Sequence, residues 1–243
     1  MLTKNYKTKK SNNVKTSSSI KSKILNSILF LFIGLFFLFL TNIVFGFLYT
    51  TNVIPNLEVA SSLATELTFI LTVLSYLIFV KKINKGFSKE LGLSLNTLTS
   101  KNILLGIGIF ITLVFFTIIL SLGLSYTTTS KITGNTSAIF QNSPAPPPIW
   151  FYFFVAVIAP IIEEITFRGL LVKRIGIIPS AIIFGILHSG YYSSINITSF
   201  ALLITAATVF GILAGYAYKK TNSIYPSIFA HILENSLAVL SLF

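Results

Sequence analysis

Long apolar runs separated by short polar segments dominate this chain of 243 residues. A helix that crosses a bilayer needs about 20 mostly apolar residues. Seven runs approach that length: residues 24–50, 60–80, 103–125, 149–172, 177–190, 198–218 and 223–243. The fifth is short, so its boundaries are the least well defined. The pattern predicts an all-α fold, a polytopic membrane bundle of about seven transmembrane helices.

Two polar stretches interrupt the pattern. Residues 1–23 contain seven Lys and no acid, and we expect them to form a disordered basic tail ahead of a membrane domain over 24–243. The apolar run that follows is too long for a signal peptide, which predicts a retained anchor. Residues 126–148 are rich in Thr and Ser and end in a run of prolines, which lack the amide donor that a helix needs. This second stretch is therefore predicted to be a loop.

The positions of the basic residues predict the orientation. Besides the seven Lys of the tail, five lie in 81–102, and Lys173, Arg174, Lys219 and Lys220 bring this side to sixteen of the eighteen Lys and Arg. Lys131 alone lies on the other side. Because basic loops stay in the cytoplasm, the N-terminus is predicted to be cytoplasmic, and the C-terminus external if all seven runs cross. The tail could also bind anionic lipid head groups, although setting the orientation is the simpler role.

Composition narrows the function classes. Hydrophobic residues make up 53% of the chain and charged residues only 10%, whereas soluble domains have about 25% charged residues. A net charge of +12 would indicate nucleic acid as a partner in a soluble protein. Here the charge follows the loops, so nucleic acid is not an expected partner. With no Cys in the chain, disulfides, thiolate zinc sites and cysteine nucleophiles are excluded.

The candidate chemistry lies in polar residues inside the apolar runs, where a charge costs about 2.5 kcal/mol or more. The fourth run contains Glu163, Glu164 and Arg168, the fifth contains His188, and the seventh contains His231 and Asn235. Measured by helix rise from the nearest basic pair, Glu163, His231 and His188 lie roughly 14, 16 and 20 Å deep. Their common depth predicts that they meet in one cavity.

Spacing along each helix suggests roles. Glu164 and Arg168 are four residues apart, in the favourable order for an ion pair. Glu163 is rotated about 100° from Glu164, which leaves it free to act elsewhere. A Glu and a His from different helices suit activation of water.

The remaining residues of the apolar runs can also be assigned candidate roles. His231 and Asn235 share a helix face and suit an oxyanion site, and Phe184, one turn before His188, would pack on its ring. Each polar group could instead form a structural hydrogen bond between helices. Glu66 and Glu234 have no motif partner and are expected to be structural.

These residues form three ordered motifs on successive apolar runs: Glu163-Glu164-x-x-x-Arg168, Phe184-x-x-x-His188 and His231-x-x-x-Asn235. In this order they resemble the CAAX protease and bacteriocin-processing family (CPBP or Abi), also called type II CAAX prenyl endopeptidases. Residues 90–93 resemble a short segment of bacterial members. The resemblance covers roughly 80–243, with its diagnostic core at about 149–236.

The resemblance implies an intramembrane endopeptidase, a hydrolase of a family that is also linked to bacteriocin immunity. Glu163 and His188 would activate the water, and His231 and Asn235 would hold the oxyanion. Glu164, Arg168 and Phe184 would support them.

Metal dependence is left open by the sequence. Glu163, His188 and His231 could supply the three protein ligands of a catalytic zinc. There is no His-Glu-x-x-His motif, no third His and no Cys. If zinc took all three, only Glu164 would be left as a base, and Glu164 is expected to pair with Arg168. We therefore expect no cofactor.

The sequence supports three functions to different degrees. The first is hydrolysis of a hydrophobic or membrane-anchored peptide, prenylated or not. The second is a non-catalytic membrane immunity or signalling protein that binds a partner through its helices. A proton-coupled transporter is disfavoured because there is no inverted repeat. The sequence itself names no substrate and no oligomeric state.

Overall fold

A computed structural model describes residues 2–81, 87–125, 147–188 and 197–241. The described part of the chain is helical and contains no β-strand. Its main helices are α1 (Leu2–Thr50), α2 (Leu57–Ser75), α3 (Phe87–Glu90), α4 (Ser100–Ser125), α5 (Ile149–Ile175), α6 (Ile177–Leu187), α7 (Ile197–Thr221) and α8 (Tyr225–Leu240). A π-helical turn over Tyr76–Lys81 follows α2, and a 3₁₀ turn over Leu95–Thr97 precedes α4.

Five helices are long and apolar enough to cross a membrane: Leu25–Thr50 within α1, Val59–Ile78, Ser100–Leu124, Ile149–Ile175 and Ile197–Thr221. The predicted all-α polytopic membrane bundle is therefore confirmed. The fifth and seventh predicted runs correspond to shorter helices, α6 with 11 residues and α8 with 16. Seven crossings therefore stay a prediction. The disordered tail over 1–23 also stays a prediction, and in the structure helix α1 begins at Leu2. Of the predicted loop at 126–148, residues 126–146 lie outside the described residues.

Helix α5 is not a uniform α-helix. π-helical turns over Phe154–Ile158 and Ile165–Leu171 flank an α-helical turn over Ala159–Glu164. The first π turn has a cause in the sequence, because Pro160 has no N–H to donate. The N–H of Ala159 bonds to the carbonyl of Phe154, five residues back. The next carbonyl, that of Val155, would need an N–H from Pro160 and so loses its backbone partner.

A glycine separates α5 from α6. Gly176 has φ +89°, in the region that residues with a Cβ rarely adopt. Gly176 follows Lys173 and Arg174, so the break between α5 and α6 lies beside the basic pair that marks the predicted cytoplasmic end of these helices. Pro179 is tolerated because it lies in the first turn of α6. The glycine therefore sets where α6 begins and, eleven residues later, where His188 emerges.

Helices α6 and α7 approach closely through small residues. A Cβ added to Gly211 would lie 2.8 Å from the Cβ of Ala181, and one added to Gly215 would lie 2.8 Å from Ile177. Small residues at such contacts let backbones approach, which is the usual basis of helix association in membranes. This close packing on α7 fixes the position of α6, and His188 follows directly after α6.

Helix α2 joins α1 to the rest of the bundle. The hydroxyls of Thr41 on α1 and Thr68 on α2 are 2.6 Å apart and buried. On the neighbouring face of α2, the ring of Phe69 packs edge-on against that of Phe167 on α5, with centroids 5.5 Å apart. Helix α2 is therefore fixed against the same helix that carries the acidic motif.

Candidate active site

Three helices bring the predicted residues together. Glu163 comes from α5, His188 from the end of α6 and His231 from α8. The Glu163 carboxylate Oε2 lies 3.5 Å from His188 Nε2 and 3.8 Å from His231 Nε2. Glu163 and His231 are buried, and Oε2 has no hydrogen-bond partner among the described residues. The cluster predicted from matched membrane depth is present in the structure.

The two imidazole rings are oriented by their Nδ1 atoms. His188 Nδ1 lies 2.8 Å from the carbonyl oxygen of Phe184, and His231 Nδ1 lies 3.1 Å from Glu164 Oε1. Both partners are acceptors, so each Nδ1 carries the proton. In the neutral form of each ring Nε2 is then an acceptor too, and both Nε2 atoms face a third acceptor, Glu163 Oε2. Such a space binds a hydrogen-bond donor, such as water, or a cation.

Glu164 points away from this space and pairs with Arg168, with Oε1 and Nη1 2.8 Å apart. Both side chains are almost fully buried, at 0% and 1% exposure. The guanidinium also lies over the rings of Phe184 and Phe210, at 4.6 and 5.0 Å from their centroids. Buried charges are tolerated only when paired in this way. Glu164 therefore connects Arg168 to the ring of His231.

Asn235 has a structural partner on α5. Its Nδ2 donates to the carbonyl oxygen of Val155 at 2.9 Å. This is the carbonyl that Pro160 leaves without a backbone donor, and in a bilayer no water would replace it. One of the two hydrogens on Nδ2 is used in this bond, so the second is available to another acceptor.

Asn235→Ala should lower thermal stability, because it leaves the Val155 carbonyl unsatisfied at a cost of about 1–3 kcal/mol. Thermal unfolding of the purified protein in detergent measures the loss. The matched control is the same change in a Pro160→Ala background, where residue 160 supplies an N–H and the loss should shrink. An equal loss in both backgrounds would contradict this account of Asn235.

A small cavity of about 50 Å³ lies beside the cluster. His188, His231, Asn235 and Glu234 line it together with the ring of Phe210. The ring of Phe184, another lining residue, packs against that of His188 with centroids 4.1 Å apart. The volume is enough for a few water molecules, each of which needs about 10–15 Å³. The cavity therefore has room for water beside both histidines.

Two acids that sequence reasoning treated as structural lie at the site. Glu66 on α2 is buried, and α2 packs against the turn of α5 that carries Glu163. Glu234 faces the cavity beside His231. Neither belongs to a motif, but both are acids within apolar helices, which by itself marks a candidate functional residue.

The same cluster fits the donor set of a metal site. One atom each of Glu163, His188 and His231 lies within 4.8 Å of the others. Three protein ligands is the number of a catalytic zinc. Both Nδ1 atoms bond to oxygens, as those of ligating histidines usually do. The residues present therefore fit a zinc ion.

Residues 145–237 match the family model of the type II CAAX prenyl endopeptidases, Rce1-like. This part of the chain is similar to the domain of the type II CAAX prenyl endopeptidases. The predicted family is thereby confirmed, and the matched segment includes all three motifs and agrees closely with the predicted core at 149–236. No curated protein and no solved structure is significantly similar to the chain.

CAAX proteases are membrane-embedded hydrolases, and their substrates are membrane-associated peptides. The five helices able to cross a bilayer place this CAAX protease domain in a multi-pass protein of the cell membrane. Helices α1 and α2 lie outside the matched segment, although α2 packs against the helix that carries Glu163.

Proposed function

We propose that the protein is an intramembrane endopeptidase that hydrolyses peptide bonds with a water molecule held by Glu163 and His188. The observation that supports it is the convergence of Glu163 Oε2 and the two Nε2 atoms at 3.5 and 3.8 Å. A water between these acceptors would donate a hydrogen bond to Glu163 and would be oriented by His188. Its oxygen lone pair would then face the substrate carbonyl.

The proposed reaction proceeds in two steps. Glu163 takes a proton from water as the water oxygen attacks the carbonyl carbon, which forms a tetrahedral intermediate with a negative oxygen. Glu163 then gives this proton to the amide nitrogen, and the C–N bond breaks to yield an acid and an amine. General acid–base catalysis of this kind contributes about 10²–10⁴-fold.

The negative oxygen needs hydrogen-bond donors. The second hydrogen of Asn235 Nδ2 is one candidate, since the first is held by Val155. His231 can donate through Nε2 only when its ring carries two protons, because Nδ1–H already faces Glu164. The proposed role of His231 therefore requires an imidazolium, for which Glu163 and Glu164 on its two sides supply the counter-charge.

Cleavage of defined peptides tests this proposal. The protein, purified in detergent, is incubated with membrane-anchored peptides that end in short hydrophobic sequences, with and without a thioether-linked isoprenoid, and the products are identified by mass spectrometry. We expect the wild type to release one defined fragment and His188→Ala to release none. A wild type that cleaves none of the peptides, or cleavage that survives His188→Ala, would favour a non-catalytic immunity or signalling role.

Chelators should leave this cleavage unchanged. If Glu163, His188 and His231 held zinc, the metal would lower the pKa of a bound water, but Glu163 would no longer be available as the base. The nearest carboxylate, Glu164, is held by Arg168. The measurement is the cleavage rate after incubation with 1,10-phenanthroline and dialysis. Loss of activity that zinc restores would show that the three residues are metal ligands.

A further inference from the structure

A polar pocket lies at the predicted cytoplasmic end of the bundle. Its volume is about 210 Å³, and residues of α1, the π turn after α2, α3 and the end of α5 line it. The lining residues with polar side chains are Asn26, Ser27, Tyr76, Glu90, Lys173 and Arg174. None of the lining residues belongs to the cavity beside His188 and His231, so this is a separate site.

Arg174 provides a cation at a fixed position in this pocket. Its guanidinium lies over the rings of Tyr76 and Phe30, with Cζ 4.0 and 5.3 Å from their centroids. Among the described residues, Nη1 donates to the carbonyl oxygen of Leu170, Nε has no hydrogen-bond partner, and no carboxylate forms an ion pair with the guanidinium. Most of the five N–H donors of Arg174 are therefore unused. A planar guanidinium in this state suits an anion with several oxygens, such as phosphate.

Lys173 adds a second positive charge to the pocket. Its Nζ donates to the carbonyl oxygen of Glu90 and lies 5.5 Å from the centroid of the Tyr218 ring. The side chains of Asn26 and Ser27 can supply further hydrogen-bond donors. Against these groups stands one acid among the lining residues, Glu90. Two cations and one carboxylate leave the pocket with a net positive charge.

Three candidate membrane spans have an end at this pocket. Asn26 lies at the start of Leu25–Thr50, Tyr76 near the end of Val59–Ile78, and Arg174 near the end of Ile149–Ile175. The ends of membrane-spanning segments lie at the level of the lipid head groups. The pocket is therefore at the depth of phospholipid phosphates, on the side where anionic lipids attract basic residues.

We propose that this pocket binds the phosphate group of an anionic phospholipid, with Arg174 and Lys173 as the binding cations. Because its walls come from α1, the end of α2 and the end of α5, a bound head group joins helices inside and outside the matched segment. The lipid should therefore stabilise the packing of α1 on the end of α5.

Thermal unfolding in dodecyl maltoside micelles tests the site while dioleoyl phosphatidylglycerol is added. We expect the lipid to raise the Tm of the wild type, and the measured quantity is the lipid concentration that gives half of this rise. Arg174→Gln should increase that concentration about 10- to 100-fold, since it removes a charge-assisted contact. Lys219→Gln is the matched control, because it removes the same charge from the exposed end of α7 outside the pocket. Equal concentrations for these two variants would overturn the inference.

Glu90→Gln tests the site in the opposite direction, so a loss of fold cannot imitate the result. Without the carboxylate the phosphate should bind more tightly, and the half-maximal concentration should fall by up to about 5-fold. An unchanged or higher concentration would contradict the proposal.

Two further additives identify what is recognised. Dioleoylglycerol has the same chains but no phosphate, and it should leave Tm unchanged. Inorganic phosphate at the same concentrations should also have little effect, because it lacks the chains that bring the lipid to the micelle. Equal stabilisation by dioleoylglycerol would overturn recognition of phosphate, and equal stabilisation by inorganic phosphate would overturn the assignment to a lipid.

Discussion

Glu163→Gln should reduce kcat by about 10²–10⁴-fold, the contribution expected of general acid–base catalysis. The amide has nearly the same size and polarity as the carboxylate, so the fold should be kept. It cannot take a proton from water, and its N–H groups would compete for the acceptor atoms of His188 and His231 that now face Oε2. The cleavage rate under saturating substrate measures the effect.

The control for Glu163→Gln is the same change at Glu90, which lies on α3 outside the candidate spans. Glu90→Gln should cleave at nearly the wild-type rate. Both variants should accumulate in membranes and elute from size exclusion like the wild type. If Glu163→Gln cleaved as fast as Glu90→Gln, another group would have to be the base, and the assigned role of Glu163 would be wrong.

Arg168→Met should destabilise the bundle by about 3–5 kcal/mol, since it leaves the buried Glu164 carboxylate without its cation. The substitution also removes the guanidinium that lies over the rings of Phe184 and Phe210. In thermal unfolding experiments in detergent, this loss of stability corresponds to a decrease in Tm of about 10 °C. We expect lower abundance in membranes as well.

Removing both charges separates the ion pair from other effects of the substitution. In Glu164→Met with Arg168→Met no unpaired charge remains, and most of the lost Tm should return. Cleavage should stay low, because His231 Nδ1 has then lost its acceptor. Lys219→Met on the exposed end of α7 is the matched control and should shift Tm little. A double variant as unstable as Arg168→Met would mean that the guanidinium acts mainly through the aromatic rings.

Much of the bundle could be predicted from the apolar runs, because residues in a bilayer must satisfy their backbone groups within helices. The meeting of Glu163, His188 and His231 could be predicted as well. Helix rise gives the depth of each side chain in the membrane, and only side chains at a similar depth can meet. Helix length was harder to predict. Helix α6 is bounded by Gly176 and has only 11 residues, so the apolar run there exceeds the helix that it forms.

The parts that could not be predicted depend on contacts between helices far apart in sequence. Glu66 has no motif partner on α2, and its burial against α5 depends on packing between the two helices, such as that of Phe69 on Phe167. The bond from Asn235 to Val155 depends on the π turn that Pro160 causes, which an ideal helical wheel does not represent. Spacing along one helix placed Asn235 beside His231 but gave no sign of its partner on α5.

The bond between Asn235 and Val155 also affects how the protein is assembled. During synthesis α5 enters the membrane well before α8. Until α8 arrives, the Val155 carbonyl lacks its donor Asn235, and Glu164 lacks its partner His231. An early bundle would therefore leave polar groups unsatisfied inside the bilayer, which is costly. Arrival of α8 satisfies these groups and supplies His231 in the same step, so the last stage of packing and the completion of the site are one event.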